Sequence, residues 1–159
     1  MNNIKIYTDG GCSKNGAKIN FGGIGAVILI PGKKIITLHK GYRNTTNQKM
    51  ELSAAIEALK RVDKEPESET LKIELLSDSK YLVNCFKNKW YKNWNKNGWR
   101  TRDNKLVKNQ ALWKELIDLG RNLNVKFKWI PGHQGNKHNE KADQLARLGM
   151  QEVKSNYKP

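Results

Sequence analysis

The stretch IKIYTDGGCSKNGAKINFGGIGAVILIPGKKIITLHKGYRNTTNQKMELSAAIEALKRV (4–62) decides the fold. IKIYT (4–8) alternates and is rich in β-branched and aromatic residues, which reads as a strand. DGGCSKNGAKINFGG (9–23) is turn-forming, with Asn15-Gly16 as a turn signal, and it opens a hairpin. IGAVILI (24–30) is a strongly apolar strand turned by Pro31-Gly32, and IITLHKGY (35–42) is a third strand. Short turns between them make an antiparallel meander. At 46–62 the period changes: Leu52, Ala55, Ile56, Ala58, Leu59 and Val62 form one broad apolar helix face.

Beyond that stretch, DKEPESET is a polar link and LKIELLSD (71–78) a fourth strand. SKYLVNCFKN reads as a short helix, and KWYKNWNKNGWRTRDNK (89–105) as a distinct basic, aromatic segment. LVKNQALWKELIDLGRNL is helical, with Gly120 read as an interruption. VKFKWI (125–130) is a fifth strand, NEKADQLARLGM (139–150) a last amphipathic helix, and 151–159 a polar, frayed tail. Strands and helices in this order predict one α/β domain over 1–150, a mixed sheet with helices on its faces.

The chain has 159 residues, with 30 Lys plus Arg against 15 Asp plus Glu, a formal charge of +15. Solubility does not require that excess. A positive field of this size attracts a polyanion, so nucleic acid is the expected partner. No stretch is apolar and long enough to span or anchor in a membrane, so no membrane partner is expected. MNNIKIYTDGG lacks the basic and apolar regions of a signal peptide. Cys12 and Cys85 form no paired motif, so neither a disulfide framework nor a zinc site is indicated. A reducing cytoplasm is the expected compartment.

Acids stand where a structural role alone is uneasy. Asp9 and Asp78 each end an apolar strand, the edge at which open α/β sheets bind ligands. The ordinary alternative for each is a turn or a cap. Glu51 lies in the first turn of its helix, above Ala55 and Ala58. Asp143 borders the stripe of Ala142, Leu145, Ala146 and Gly149. For both, the alternative is a first-turn acid complementing the helix dipole. No lysine or arginine pattern beside these acids suggests internal ion pairs. If they converge, they repel and hold protons until cations arrive. An all-oxygen set favours Mg²⁺ or Mn²⁺ over zinc, and two such ions suit phosphoryl transfer. Spacing along the chain does not by itself bring them together.

YTDGG (7–11), GGIGAV (22–27), TTNQKMEL (45–52), SDS (77–79), GHQGNKHNEKAD (132–143) and QLA (144–146) resemble, in this order, the type 1 ribonuclease H family. The resemblance runs from about residue 4 to 150. It implies a ribonuclease H-like fold, with a five-stranded sheet of order 3-2-1-4-5 and helices on both faces. It also implies an endonuclease cutting the RNA strand of RNA–DNA hybrids and leaving 5′-phosphate and 3′-hydroxyl ends. Asp9, Glu51, Asp78 and Asp143 would hold two Mg²⁺, with Mn²⁺ as a substitute. His133, in the loop Pro-Gly-His-Gln-Gly, would assist proton transfer or product departure. His39 and His138 match no motif and read as surface histidines.

The resemblance further implies contacts to the substrate. Cys12, Asn15, Asn47 and Gln48 would sense the RNA 2′-hydroxyls, for which amide and backbone groups are suited. Structural alternatives are the Asn15-Gly16 turn and a helix cap at Asn47. Thr46 and Asn109 would grip a phosphate of the DNA strand. Residues 87–108 match a basic handle carrying Lys87, Lys89, Lys92, Lys96, Arg100, Arg102, Lys105 and Lys108 against Asp103. Trp90 and Trp94, on one helix face, and Trp99 interleave with these cations as a strand-binding surface. The alternative is a satellite core that anchors the handle.

Two positions depart from the family pattern. Asn44 stands where an arginine is usual, with Arg43 beside it, and Lys80 where glutamine is usual. Lys80 would then add an electrostatic contact to the RNA strand. The main rival is a non-catalytic basic duplex binder on the same fold, against which the four carboxylates argue. Among related polynucleotidyl transferases, the Met1 start and full handle favour the free-standing enzyme. A dinucleotide site is excluded, because Gly22, Gly23 and Gly25 run into a strand and not a helix. A monomer with no obligatory protein partner is expected, since the basic face must stay free.

Overall fold

Three antiparallel strands form the first half of the sheet because glycine lets the first two pair beyond their apolar centres. In the computed structural model, which describes residues 3–15 and 17–158, β1 spans Asn3–Cys12, β2 Phe21–Leu29 and β3 Ile36–Arg43. The expected turn over 9–23 is therefore shorter. Asp9 pairs with Gly25, Gly11 with Gly23 and Cys12 with Gly22, inside the ladder. Gly16, of the expected Asn15-Gly16 turn, lies outside the described residues.

Helix α1 (Asn47–Asp63) follows at once and is capped by Thr46, whose Oγ1 accepts from the Lys49 N–H at 3.1 Å. The cap is thus Thr46, so the structural alternative of a cap at Asn47 does not hold, and Asn47 is the first helical residue. Strand β4 (Lys72–Ser77) then runs parallel to β1, and β5 (Val125–Trp129) parallel to β4. Between them lie α2 (Lys80–Lys87), α3 (Trp90–Asn97) and α4 (Gln110–Asn122). Helix α5 (Lys137–Ser155) ends the fold. The sheet order is β3-β2-β1-β4-β5, as expected.

Alternation along the strands divides the core into two layers. Ile4, Ile6, Ala26, Ile28, Ile73 and Leu75 pack against Leu52, Ala55, Ile56 and Leu59 of α1 and against Trp113 and Leu116 of α4. Each fully buried aliphatic side chain contributes about 1.5–3 kcal/mol. On the other face, Tyr7 and Val27 meet Ala142 and Leu145 of α5. That helix sits directly on strand backbone. A Cβ at Gly23 would strike the Ala146 carbonyl, one at Gly25 the Ala142 carbonyl, and one at Gly41 the Gly149 carbonyl. Gly23, Gly25 and Gly41 are thus the floor under α5, while Gly22 faces Thr45 and Met50 at the α1 side.

Two expectations fail here. Gly120 does not interrupt α4: it is buried inside the helix, where a Cβ would lie 3.1 Å from the Phe127 ring. The tail is not frayed from 151, because α5 continues to Ser155. Glu152 reaches His39 at 3.1 Å, and the Tyr157 ring packs on Phe21 with the Arg43 guanidinium 4.5 Å over it. Among the described residues, no helix is long and apolar enough to cross a membrane.

Candidate active site

Parallel pairing of β1 with β4 ends at Tyr7 and Leu76. Asp9 and Asp78 follow at the same interval, so two carboxylates stand side by side at neighbouring strand ends. Gly10 lets the start of α1 close in, since a Cβ there would strike the Met50 carbonyl. The Gly10 N–H donates to Glu51 Oε1 at 3.3 Å. One carboxylate oxygen from each of Asp9, Glu51 and Asp78 lies within 4.8 Å of the others. Asp143 of α5 stands outside that mutual 4.8 Å group but beside it, near enough for its charge to act on Asp9 and Asp78.

Burial raises the pKa of Asp9, Glu51 and Asp78, and repulsion from neighbouring acids raises it further. Asp9 is pushed up to about 7, first by burial and then by the charge of Asp78 and the hydrogen bond with Asp143. Glu51 is raised well above the carboxylate range by burial, then by Asp9 and Asp78. Asp78 is raised by burial, with His133 pulling the other way. Such a cluster is costly unless cations join it. Glu51 Oε2 is buried with no hydrogen-bond partner, an orphaned acceptor aimed among carboxylates. All-oxygen donors, crowding and the unfilled acceptor together fit a hard divalent cation. One expectation is corrected: Asp143 does have a cationic neighbour, Arg147 at 3.2 Å, one helical turn on.

The loop between β5 and α5 packs onto Asp78. The Trp129 indole N–H donates to the Asp78 carbonyl at 3.1 Å. A Cβ on Gly132 would sit 2.6 Å from Asp78 Oδ2, so the loop touches the carboxylate itself. His133 follows, exposed, with a left-handed φ of 56°, and its charge acts on Asp78. Asn136 closes the loop by capping α5 through the His138 and Asn139 N–H groups. Trp129 and Gly132 escaped notice as site residues. The Pro-Gly pair gave the turn, but only the packing reveals what Gly132 touches.

The expected substrate residues divide. Cys12, Asn15 and Asn47 are brought together: the Cys12 N–H donates to Asn47 Oδ1 at 2.9 Å, and the Asn47 N–H to Asn15 Oδ1 at 3.1 Å. Gln48 is exposed beside them. Thr46 heads α1 and Asn109, at φ 61°, heads α4, which packs against α1. Lys80 and Lys96 are exposed. Trp94 is corrected: it is only 9% exposed, with Trp99 at 5.1 Å, Trp113 at 5.5 Å and Trp90 at 6.2 Å between ring centroids. It roots the handle in the core and offers no face to a strand. Trp90 and Trp99 are half-buried against that core, and Lys114 stands 5.0 Å over the Trp99 ring.

Carboxylates gathered over the central strands of a 3-2-1-4-5 mixed sheet, in a strongly basic chain, define a metal-binding nuclease of the ribonuclease H class. Comparison with known proteins agrees. The model of the family described as RNase H matches residues 1–151, and the chain belongs to that family. A Ribonuclease H of Clostridium botulinum is 43% identical over 152 residues, covering 96% of this chain and 98% of that protein. One of Pseudoalteromonas atlantica is 46% identical over 147 residues, covering 92% and 90%. The crystal structure of LC9-RNase H1, described as a type 1 RNase H with the type 2 active-site motif, superposes with a TM-score of 0.77. It is 27% identical and covers 96% of this chain and 74% of that one.

Proposed function

We propose that this protein hydrolyses the RNA strand of RNA–DNA hybrids endonucleolytically, leaving 5′-phosphate and 3′-hydroxyl ends. The observation that carries it is the half-buried carboxylate group of Asp9, Glu51 and Asp78 with its buried, unpartnered Glu51 oxygen, set in a strongly basic chain. Asp9, Glu51, Asp78 and Asp143 would hold two Mg²⁺, with Mn²⁺ as a substitute. Bound there, the ions would polarise the phosphodiester and lower the pKa of the attacking water.

The chain's own residues do the rest. The Gly10 N–H and the buried position of Glu51 fix one carboxylate oxygen and leave the other free to ligate. The Trp129 N–H holds the Asp78 main chain, and Gly132 leaves room for the Asp78 carboxylate beside the loop. His133, exposed in the loop beside Gly132 and near enough to act on Asp78, would carry a proton toward the departing oxygen. Cys12, Asn15, Asn47 and Gln48 line the approach that reads the ribose 2′-hydroxyl, a group that both donates and accepts. Thr46, Asn109 and the handle lysines, Lys96 among them, take the DNA strand, with the half-buried Trp90 and Trp99 beside them. The protein acts as a monomer in the cytoplasm, needing no protein partner.

The test is strand and end-group analysis. Each strand of a hybrid is labelled in turn, and products are treated with a phosphatase or a ligase. The reading requires cuts in the RNA alone, with 5′-phosphate ends. Cuts in the DNA strand, or 3′-phosphate ends, contradict it.

A further inference from the structure

Trp129 touches the site twice. Its indole N–H donates to the carbonyl of Asp78 at 3.1 Å, and the ammonium of Lys80 lies 5.0 Å from its ring centre. Although large and apolar, it remains 45% exposed at the end of edge strand β5. One side chain therefore joins the main chain of Asp78, a residue of the metal group, to an exposed cation only two residues further along.

Lys80 is locally an unfavourable choice. It is the first residue of α2, and no acid stands in that first turn. The positive end of a helix disfavours a cation and favours an anion. Ser79 already satisfies the helix start, its hydroxyl accepting from the Leu82 N–H at 3.2 Å. A residue that breaks a local rule without a local gain is explained by what it binds. The exposed indole face beneath it holds its ammonium in one place, an arrangement suited to a phosphate arriving from solvent.

We propose that Trp129 is a positioning residue with two separable tasks. Its ring seats Lys80 to receive a phosphate of the RNA strand beside the bond that is cut. Its N–H holds the Asp78 main chain, and with it the carboxylate. Grip on the strand and alignment of the metal-binding acid thus run through one side chain. The proposal rests on the hybrid-cleaving reading above.

Because the tasks use different atoms, substitutions separate them. Hybrid affinity is measured against salt in metal-free buffer, and kcat and KM with Mg²⁺, for K80Q, W129F, W129L and K80Q/W129L. Each phosphate contact contributes about 0.7–0.9 to the slope of log affinity against log salt. K80Q and W129L are expected to lose about one contact's worth of slope and to raise KM roughly three- to tenfold. The double variant should match either single variant in slope and KM, because ring and ammonium act there as one unit, and it should share with W129L the loss of kcat that follows loss of the N–H. W129F keeps a ring and loses the N–H, so it should retain the slope while kcat falls severalfold. W129F and K80Q decide the matter if W129L proves unstable. An unchanged slope in K80Q, or an unchanged kcat in W129F, overturns the proposal. If the parent protein binds hybrid but never cuts it, the nuclease reading fails, and the slope comparison still judges the Lys80 seat.

Discussion

Asp9 and Asp78 stand level with one another, each two residues beyond the paired Tyr7 and Leu76 of adjacent parallel strands. Their placement follows from strand register, and Glu51 joins them because α1 starts against Gly10. The site is thus assembled by backbone geometry, at an electrostatic cost that the protein carries until a cation binds.

That cost sets a pH dependence. The Asp9 pKa is about 7 in the folded protein, above its ordinary 3.8. Its contribution to stability is therefore fully present below about 4 and is lost as pH rises through about 7. Glu51 and Asp78 shift in the same direction. In EDTA, Asp9→Asn should exceed the parent in stability at pH 8 by about 1–3 kcal/mol, and lose most of that advantage near pH 4. Urea denaturation at both pH values checks this. Equal stabilities at pH 8 would contradict it.

Divalent ions should reverse the penalty. Titrating Mg²⁺ or Mn²⁺ at pH 8 should raise the melting temperature of the parent, since a ligand bound only by the folded state stabilises it. Glu51→Gln should blunt the rise, because it removes the charge behind the orphaned Oε2. Calorimetry or a thermal melt in increasing metal reads the effect, and an undiminished rise in Glu51→Gln would remove that residue from the ligand set.

Two glycines should fail in different ways. Gly25→Ala drives a Cβ into the backbone of α5, 2.6 Å from the Ala146 nitrogen. Overpacking of that kind costs about 1–3 kcal/mol and displaces Asp143 as well. At Gly132 the obstacle is the Asp78 carboxylate, which can swing aside. Gly132→Ala should therefore keep its stability and lose activity, at least about tenfold. Parallel urea melts and rate measurements separate the two, and a stable, fully active Gly25→Ala would refute the contact.

Trp94→Ala should behave as a core mutation, destabilising by about 3–5 kcal/mol. Trp90 and Trp99 are only half-buried, so their alanine variants should cost less stability. The ranking from denaturation curves is the check, and a stable Trp94→Ala would restore the surface reading of that ring.

Much of this was legible in the chain. The shift from alternation in 4–42 to helical spacing in 46–62 announced the mixed sheet. Asp9 and Asp78 declared themselves by ending apolar runs. What was not legible is what only packing creates. Gly23 read as the end of a turn, and Gly25 and Gly41 as ordinary strand positions, yet each is where α5 touches the sheet. Gly120 read as a break because propensity ignores the Phe127 and Phe86 rings that claim its space. The tail looked frayed because its polar residues hide a long-range anchor, Tyr157 on Phe21 and Arg43. Thr46 displaced Asn47 as the cap by one residue, within the usual uncertainty of helix ends. Trp94 was ambiguous in sequence because its neighbours Trp99 and Trp113 lie outside its own helix, α3.

The most direct measurement uses a hybrid with an end-labelled RNA strand, incubated with and without Mg²⁺ beside duplex RNA and duplex DNA, for the parent and Asp9→Asn. The account predicts metal-dependent cutting confined to the RNA of the hybrid, reduced at least about a hundredfold in Asp9→Asn. No cutting, with salt-sensitive binding to every duplex, would contradict it and leave a basic duplex binder.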